Sequence, residues 1–222
     1  MIRLHHVPGS RSMRVLWLLE ELGLEYELKT WSLTDGSLRS PEFRSMSPAG
    51  RIPALEIDGR SIFESGAIVE YLAERHPEAG LAPPLGEASR ADYLEWVHFA
   101  ETQANILQNL NFHHIFLRPV EARSVAMTKL DTKRLEVTMK ALEAHLEGRD
   151  WLLGAFSAAD CMLGFNLDAM FRFVRPEGFP NVAAYRARVE ARPAYARAVA
   201  AGGASMYAQE FYEVPPMEQG NA

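Results

Sequence analysis

The chain has 222 residues, 48% of them hydrophobic and 23% charged, with a net charge of −6. That length holds one large domain or two small ones, and the composition is enough to bury an ordinary core. The acidic balance argues against nucleic acid as the main partner, since phosphate binding needs a clustered basic surface.

Ile2 to Val7 is a short, mostly apolar run closed by Pro8-Gly9, and it reads as a buried strand. From Ser12 onward, Val15, Leu18, Leu19 and Leu22 recur at helical spacing, and Gly23 supplies a stop. Tyr26 to Trp31 alternates as a second strand. Thr34 to Arg51 is polar and turn-rich, with a short helix expected around Pro41 to Met46. Ala54–Ile57 and Arg60–Phe63 flank Asp58-Gly59, a hairpin turn whose positive φ angles suit that pair. A helix carrying Ile68, Tyr71 and Leu72 follows Glu64-Ser65-Gly66. Residues 1–76 therefore read as βαβ, an irregular stretch, then ββα: an α/β domain with a mixed sheet and helices on its faces.

Residues 77–87 concentrate proline and glycine and read as a linker. Residues 88–222 read as a second, all-α domain. Tyr93, Trp96, Val97, Ala100, Ala104 and Leu107 form one stripe; Leu135, Met139, Leu142 and Leu146 form another. Phe156 to Val174 supplies a third helix, and two short ones follow, broken at Pro193. The tail from Gly202 has no clear pattern. Cys161 is the single cysteine, which rules out an intrachain disulfide and any CxxC pair. There is no signal-peptide layout and no apolar run of membrane length, so a cytoplasmic protein without a membrane partner is expected.

The chemistry-bearing stretch is Pro8-Gly9-Ser10-Arg11-Ser12-Met13-Arg14, between the first strand and the first helix. A helix N-terminus offers free N–H groups and suits an anion, and a serine there is equally suited to capping. Ser12, directly before the apolar stripe, is the better placed as N-cap. Ser157 and Asp160 have the spacing of a capping box and read as structure. The pairs His5-His6 and His113-His114 do not make a metal site, because adjacent side chains point apart and no zinc pattern accompanies them.

Three segments in order resemble the cytosolic glutathione transferase family. Pro8 to Glu27 is similar to the strand–loop–helix of its serine-type, theta- and delta-like bacterial members. Ser40 to Pro77 resembles the run containing isoleucine-proline and glutamate-serine, with Ser47 where the family usually has asparagine. Trp151 to Leu167 resembles the helical segment built on the Ser-x-x-Asp box.

The resemblance implies a thioredoxin-like, glutathione-binding domain over 1–76 and a helical bundle over 88–222 that carries the acceptor pocket. It implies a homodimer acting on glutathione and a small hydrophobic electrophile, with glutathione as co-substrate and no bound cofactor or metal. Ser10, four residues before Arg14, is then the expected activator of the thiol, with Ser12 as the alternative and Arg11 beside the sulfur. Ile52, before a cis Pro53, offers its main chain to the cysteinyl part. Glu64 and Ser65 hold the γ-glutamyl end. Arg51 and Arg39 are the basic candidates for the glycine carboxylate, where many relatives carry a histidine. Phe112, His113, Phe116 and Arg118 are candidates for the acceptor pocket. The expected reaction is conjugation, with hydroperoxide reduction beside it; the alternative is a catalytically silent binding or scaffold protein on the same fold.

Overall fold

β1 (Ile2–His6) runs parallel to β2 (Tyr26–Thr30) on one side and antiparallel to β3 (Ala54–Ile57) on the other. β4 (Arg60–Phe63) completes the order β2-β1-β3-β4. Leu4, on the central β1, lies opposite both Leu28 and Leu55 and is fully buried. Asp58 and Gly59 turn the β3–β4 hairpin at φ 51° and 76°, the doubly positive geometry of a type I′ turn. This computed structural model describes residues 1–214 and Pro216.

A parallel pair needs a crossover, and α1 (Ser12–Glu21) provides it. It ends in a Schellman motif: Leu24 N–H donates to Leu19 O at 3.1 Å and Gly23 N–H to Glu20 O at 3.3 Å. Gly23, at φ 62°, takes the left-handed position that closes it. The apolar stripe accounts for Val15, Leu18 and Leu19, yet Leu16 and Trp17 are buried as well. The reason is that α1 packs against α3 (Ser65–Arg75) and also against α6 (Ala158–Gly164) and α9 (Pro193–Gly202). A helix buried on more than one face belongs to a shared core.

Between β2 and β3, Ser40 caps the short α2 (Pro41–Met46) by accepting from Phe43 N–H at 3.2 Å. The helical part then adds α4 (Ser89–Asn111), α5 (Val125–His145), α7 (Asn166–Phe173) and α8 (Pro180–Glu190). Two elements depart from the periodicity. The helix that carries the Tyr93–Leu107 stripe ends at Asn111 and continues as a π-turn over Phe112–Phe116, closed by Leu117 N–H to Phe112 O at 2.9 Å. The helix expected from Phe156 to Val174 is two, broken at Phe165 just after Gly164, a weak helix former.

The start of α6 is held by one carboxylate. Asp160 Oδ2 accepts from the N–H and hydroxyl of Ser157 at 2.7 and 3.1 Å. Its Oδ1 accepts from Leu152 N–H at 3.2 Å and from the Tyr185 hydroxyl at 2.7 Å. Burial pushes the Asp160 carboxyl up, and these four donors act against that.

Candidate active site

The loop between β1 and α1 divides its two serines by depth. Ser10 is half-buried and Ser12 is fully buried. Ser12 is not the N-cap that its position suggested; it is the first residue inside α1, after Arg11, whose own side chain makes no capping bond. Gly9, at φ 70°, folds the chain back so that the Ser12 hydroxyl lies beneath the loop. There it meets Val7 N–H at 3.3 Å and His6 Nδ1 at 2.8 Å. The cap-like contact comes instead from Ser10, whose Oγ accepts from Ser12 N–H at 3.4 Å and lies 2.7 Å from Ser12 Oγ.

The two arginines of the loop reach across to α4. Arg11 donates to Glu101 at 3.2 Å, Asn105 at 3.1 Å and Gln108 at 2.8 Å, so it does not point to open solvent. Arg14 is fully buried and pairs with the other oxygen of Glu101. It also donates to Ser65 Oγ at 3.1 Å, Ala100 O at 3.2 Å and Asn166 Oδ1 at 3.0 Å. Burial pulls the guanidinium down to about 10, with Glu101 acting against it, and it stays charged at neutral pH. Burial pushes the Glu101 carboxyl up, but Arg14, Ser65 and Arg11 together outweigh this and hold it below the usual range.

Beside this network opens a cleft of about 320 Å³, counting its mouth, lined by Arg11, Ser47, Arg51, Ile52, Pro53, Phe63, Glu64 and Ser65. The Ile52-Pro53 bond is cis. Among the described residues, neither the N–H nor the C=O of Ile52 is taken by another protein group. Ser47 is structural: its hydroxyl donates to Arg51 O at 2.8 Å and accepts from Arg51 N–H at 3.2 Å. Glu64 precedes α3 at φ 72°, and no side chain caps that helix, so its first N–H groups face the cleft end unpaired. The Ser65 hydroxyl already donates to Glu101 at 2.8 Å. Ser65 therefore has its main-chain N–H to offer, while its oxygen braces the network.

Five of the expected residues, Arg51, Ile52, Pro53, Glu64 and Ser65, thus meet in one cleft together with Arg11. Arg39 does not join them: it is exposed on a turn, Ser37–Arg39, away from the lining. Phe112, His113 and Phe116 share the π-turn, with the two phenyl rings exposed and 6.1 Å apart. His113 Nδ1 accepts from Ser124 N–H at 3.2 Å, and Arg118 donates to the carbonyls of Ile115 and Leu117, both at 2.8 Å. Asn111, just before this turn, and the serine loop both meet the tail. Met206 lies 4.0 Å from Asn111 Nδ2, and its N would stand 3.0 Å from a Cβ added at Gly9.

Glu101, Asn166 and His6 went unassigned in the sequence, and a signal existed for one of them. Glu101, Asn105 and Gln108 form a polar stripe at helical spacing beside the apolar one, and they are the three partners of Arg11. Asn166, buried between Arg14 and Ala100 O, sits where one helix was expected to run on, and nothing local marks it.

A four-stranded mixed-sheet domain joined to an all-helical one is the architecture that known proteins share with this chain. Residues 1–74 match the family model of the glutathione S-transferase N-terminal domain, and residues 128–188 match that of the C-terminal domain. A glutathione S-transferase 3 of Schizosaccharomyces pombe is 30% identical over 206 residues, covering 87% of this chain and 85% of the relative. A disulfide-bond oxidoreductase of Escherichia coli, YfcG, is 30% identical over 210 residues, covering 90% and 94%. The crystal structure of a glutathione transferase family member from Pseudomonas fluorescens, with two glutathione bound, superposes with a TM-score of 0.80 at 27% identity, covering 89% and 92%. The chain belongs to the glutathione S-transferase family, enzymes whose co-substrate is glutathione.

Proposed function

We propose that this enzyme ionises the glutathione thiol beside Ser10 and transfers the thiolate to a small hydrophobic electrophile, with hydroperoxide reduction as a second outlet. The observation that carries this reading is the division of the serines: Ser10 is half-exposed at the loop, while Ser12 is sealed beneath it. Of the two serines only Ser10 has surface to offer a ligand, at the loop next to Arg11 rather than in the cleft lining itself. A cysteine-like thiol of pKa about 8.5 needs only about 2.7 kcal/mol of preferential stabilisation to drop two units, within reach of charge-assisted hydrogen bonds.

The cleft supplies the anchors. The free main-chain groups of Ile52 suit the cysteinyl amide, and the uncapped start of α3 suits the γ-glutamyl carboxylate, with Glu64 for its ammonium. Arg51 on the cleft wall is better placed than Arg39 for the glycine carboxylate. The acceptor would lie against Phe112 and Phe116, whose exposed rings offer an apolar face. Phe63, Met127, Leu130 and Val137 are exposed as well, and we assign them to a homodimer contact.

Conjugation of an aryl halide and reduction of an organic hydroperoxide test the reading. Ser10→Ala is expected to lower kcat/KM by about a hundredfold, the loss of one donor to a developing anion. If Ser10→Ala keeps full activity and Ser12→Ala loses it, the assignment of the serines is wrong.

A further inference from the structure

His6 is sealed from solvent, and the reaction outlined above gives it no part. Each ring nitrogen has one partner: Nε2 lies 2.8 Å from the Gly202 carbonyl oxygen and Nδ1 lies 2.8 Å from Ser12 Oγ. A carbonyl only accepts, so Nε2 carries the hydrogen, and Nδ1 of the neutral ring is then a bare acceptor. Ser12 donates to it at 2.8 Å in preference to the Val7 carbonyl oxygen, which lies farther off at 3.4 Å. The Ser12 oxygen in turn accepts from Val7 N–H at 3.3 Å and from the Ser10 hydroxyl at 2.7 Å. The direction of the whole chain is therefore set by one carbonyl. In the resting protein Ser10 gives its hydrogen inward and keeps a lone pair for an arriving S–H.

Resting on the assignment of Ser10 to the thiol, we propose that Ser10 and Ser12 form a proton relay from glutathione to His6. The S–H bond breaks and its proton goes to Ser10 Oγ. The Ser10 proton goes to Ser12 Oγ, and the Ser12 proton forms the new N–H bond at His6 Nδ1. Each serine gives one proton and takes one, no electrons change hands, and no co-reactant is needed. Every link then points the other way: His6 donates to Ser12, Ser12 to Ser10, and Ser10 to the thiolate, while Nε2–H keeps Gly202. All donors are paired in both states without displacement of a heavy atom.

The surroundings of His6 suit a closed reservoir. Among the described residues no carboxylate or cation touches it; its neighbour His5 is engaged elsewhere, by Glu56 at 2.8 Å and Trp31 at 2.9 Å. With the ring buried, the two serines form the hydrogen-bonded route from its Nδ1 to the loop. Burial weakens its hold on a proton, which favours return along the same path once the sulfur has reacted.

Glutathione binding near neutral pH tests the relay with three readouts: the ultraviolet band of the thiolate, proton release to an indicator, and the 15N shifts of the His6 ring. The wild type is expected to form thiolate without releasing its proton, and His6 Nδ1 is expected to move to the imidazolium position. Ser12→Ala cuts the chain and leaves the histidine, and His6→Gln removes the acceptor. Both are expected to release the proton in step with whatever thiolate they form, a change that a purely structural role would not produce. Thiolate in the wild type with full proton release and an unmoved His6 signal overturns the relay and leaves Ser10 as the activating group. No thiolate band in the wild type overturns both. The wild-type measurement decides alone where a variant does not fold.

Discussion

Arg14 spends its charge entirely inside the protein. It touches α3 through Ser65, α4 through Glu101 and Ala100, and α7 through Asn166. Replacing both members of a buried ion pair by apolar groups is often tolerated, whereas removing one strands the other. Glu101→Gln should therefore cost about 3–5 kcal/mol in urea unfolding, and the double change Arg14→Met with Glu101→Leu should cost less than the single one. His6 carries a pH signature of its own. Its folded pKa lies below the ordinary 6.5, chiefly through burial. Above pH 6.5 the ring is neutral in both states and the fold keeps its full stability. As pH falls, the unfolded chain takes the proton first, so stability declines until the folded ring titrates too. Urea midpoints should drop below about pH 6.5, less steeply in His6→Gln, with the remainder from the similarly depressed His114. At this scale the sequence shows which residue types stand at the loop and the cleft. It does not show that Ser12 turns inward, because that depends on His6 and on the left-handed Gly9.

Helix α6 illustrates how tightly the elements meet. A Cβ on Gly164 would stand 2.7 Å from Trp17 Cζ3. That ring has little freedom, held edge-on to Tyr195 at 4.9 Å and beside Phe156 at 5.8 Å. Alanine would gain up to about 1 kcal/mol of helix propensity, but overpacking costs about 1–3 kcal/mol. Gly164→Ala is expected to lower the melting temperature by roughly 2–4 °C, the scale of about 1 kcal/mol in a chain of this size. The strands, the Asp58-Gly59 hairpin and most helices were legible, since periodicity and turn chemistry are local. The π-turn after α4 and the break at Phe165 were not. An apolar stripe records which face is buried, and it continues through a change of hydrogen-bond register or a shift of axis.

At the scale of the molecule, α1 is the element both parts share. Because it packs against α6 and α9 as well as α3, residues 1–87 alone would expose Leu16 and Trp17. The full chain should therefore melt in a single transition by calorimetry, and the isolated fragment should stay unfolded in circular dichroism. The proposed homodimer is open to light scattering: Leu130→Asp together with Val137→Asp should halve the solution mass without altering the far-ultraviolet spectrum. The division into a sheet part and a helical part could be read from the chain, because the period of the pattern changes near the Pro/Gly-rich 77–87. How the two parts join could not, since their contacts link residues far apart in sequence, such as Arg14 with Asn166 and Arg192 with Glu21 at 2.6 and 2.7 Å.

The bond from His6 to Gly202 also has a bearing on synthesis. It ties the first strand to the end of the last helix, across 196 positions. Chains are made from the N-terminus, so β1 and the serine loop are synthesised long before the carbonyl that orients the loop exists. A molecule that stops short of Gly202 lacks the acceptor that fixes the histidine tautomer. If the relay operates, completion of the chain is a condition for it as well as for stability, because loss of α9 removes both the Gly202 carbonyl and the helix packed on α1.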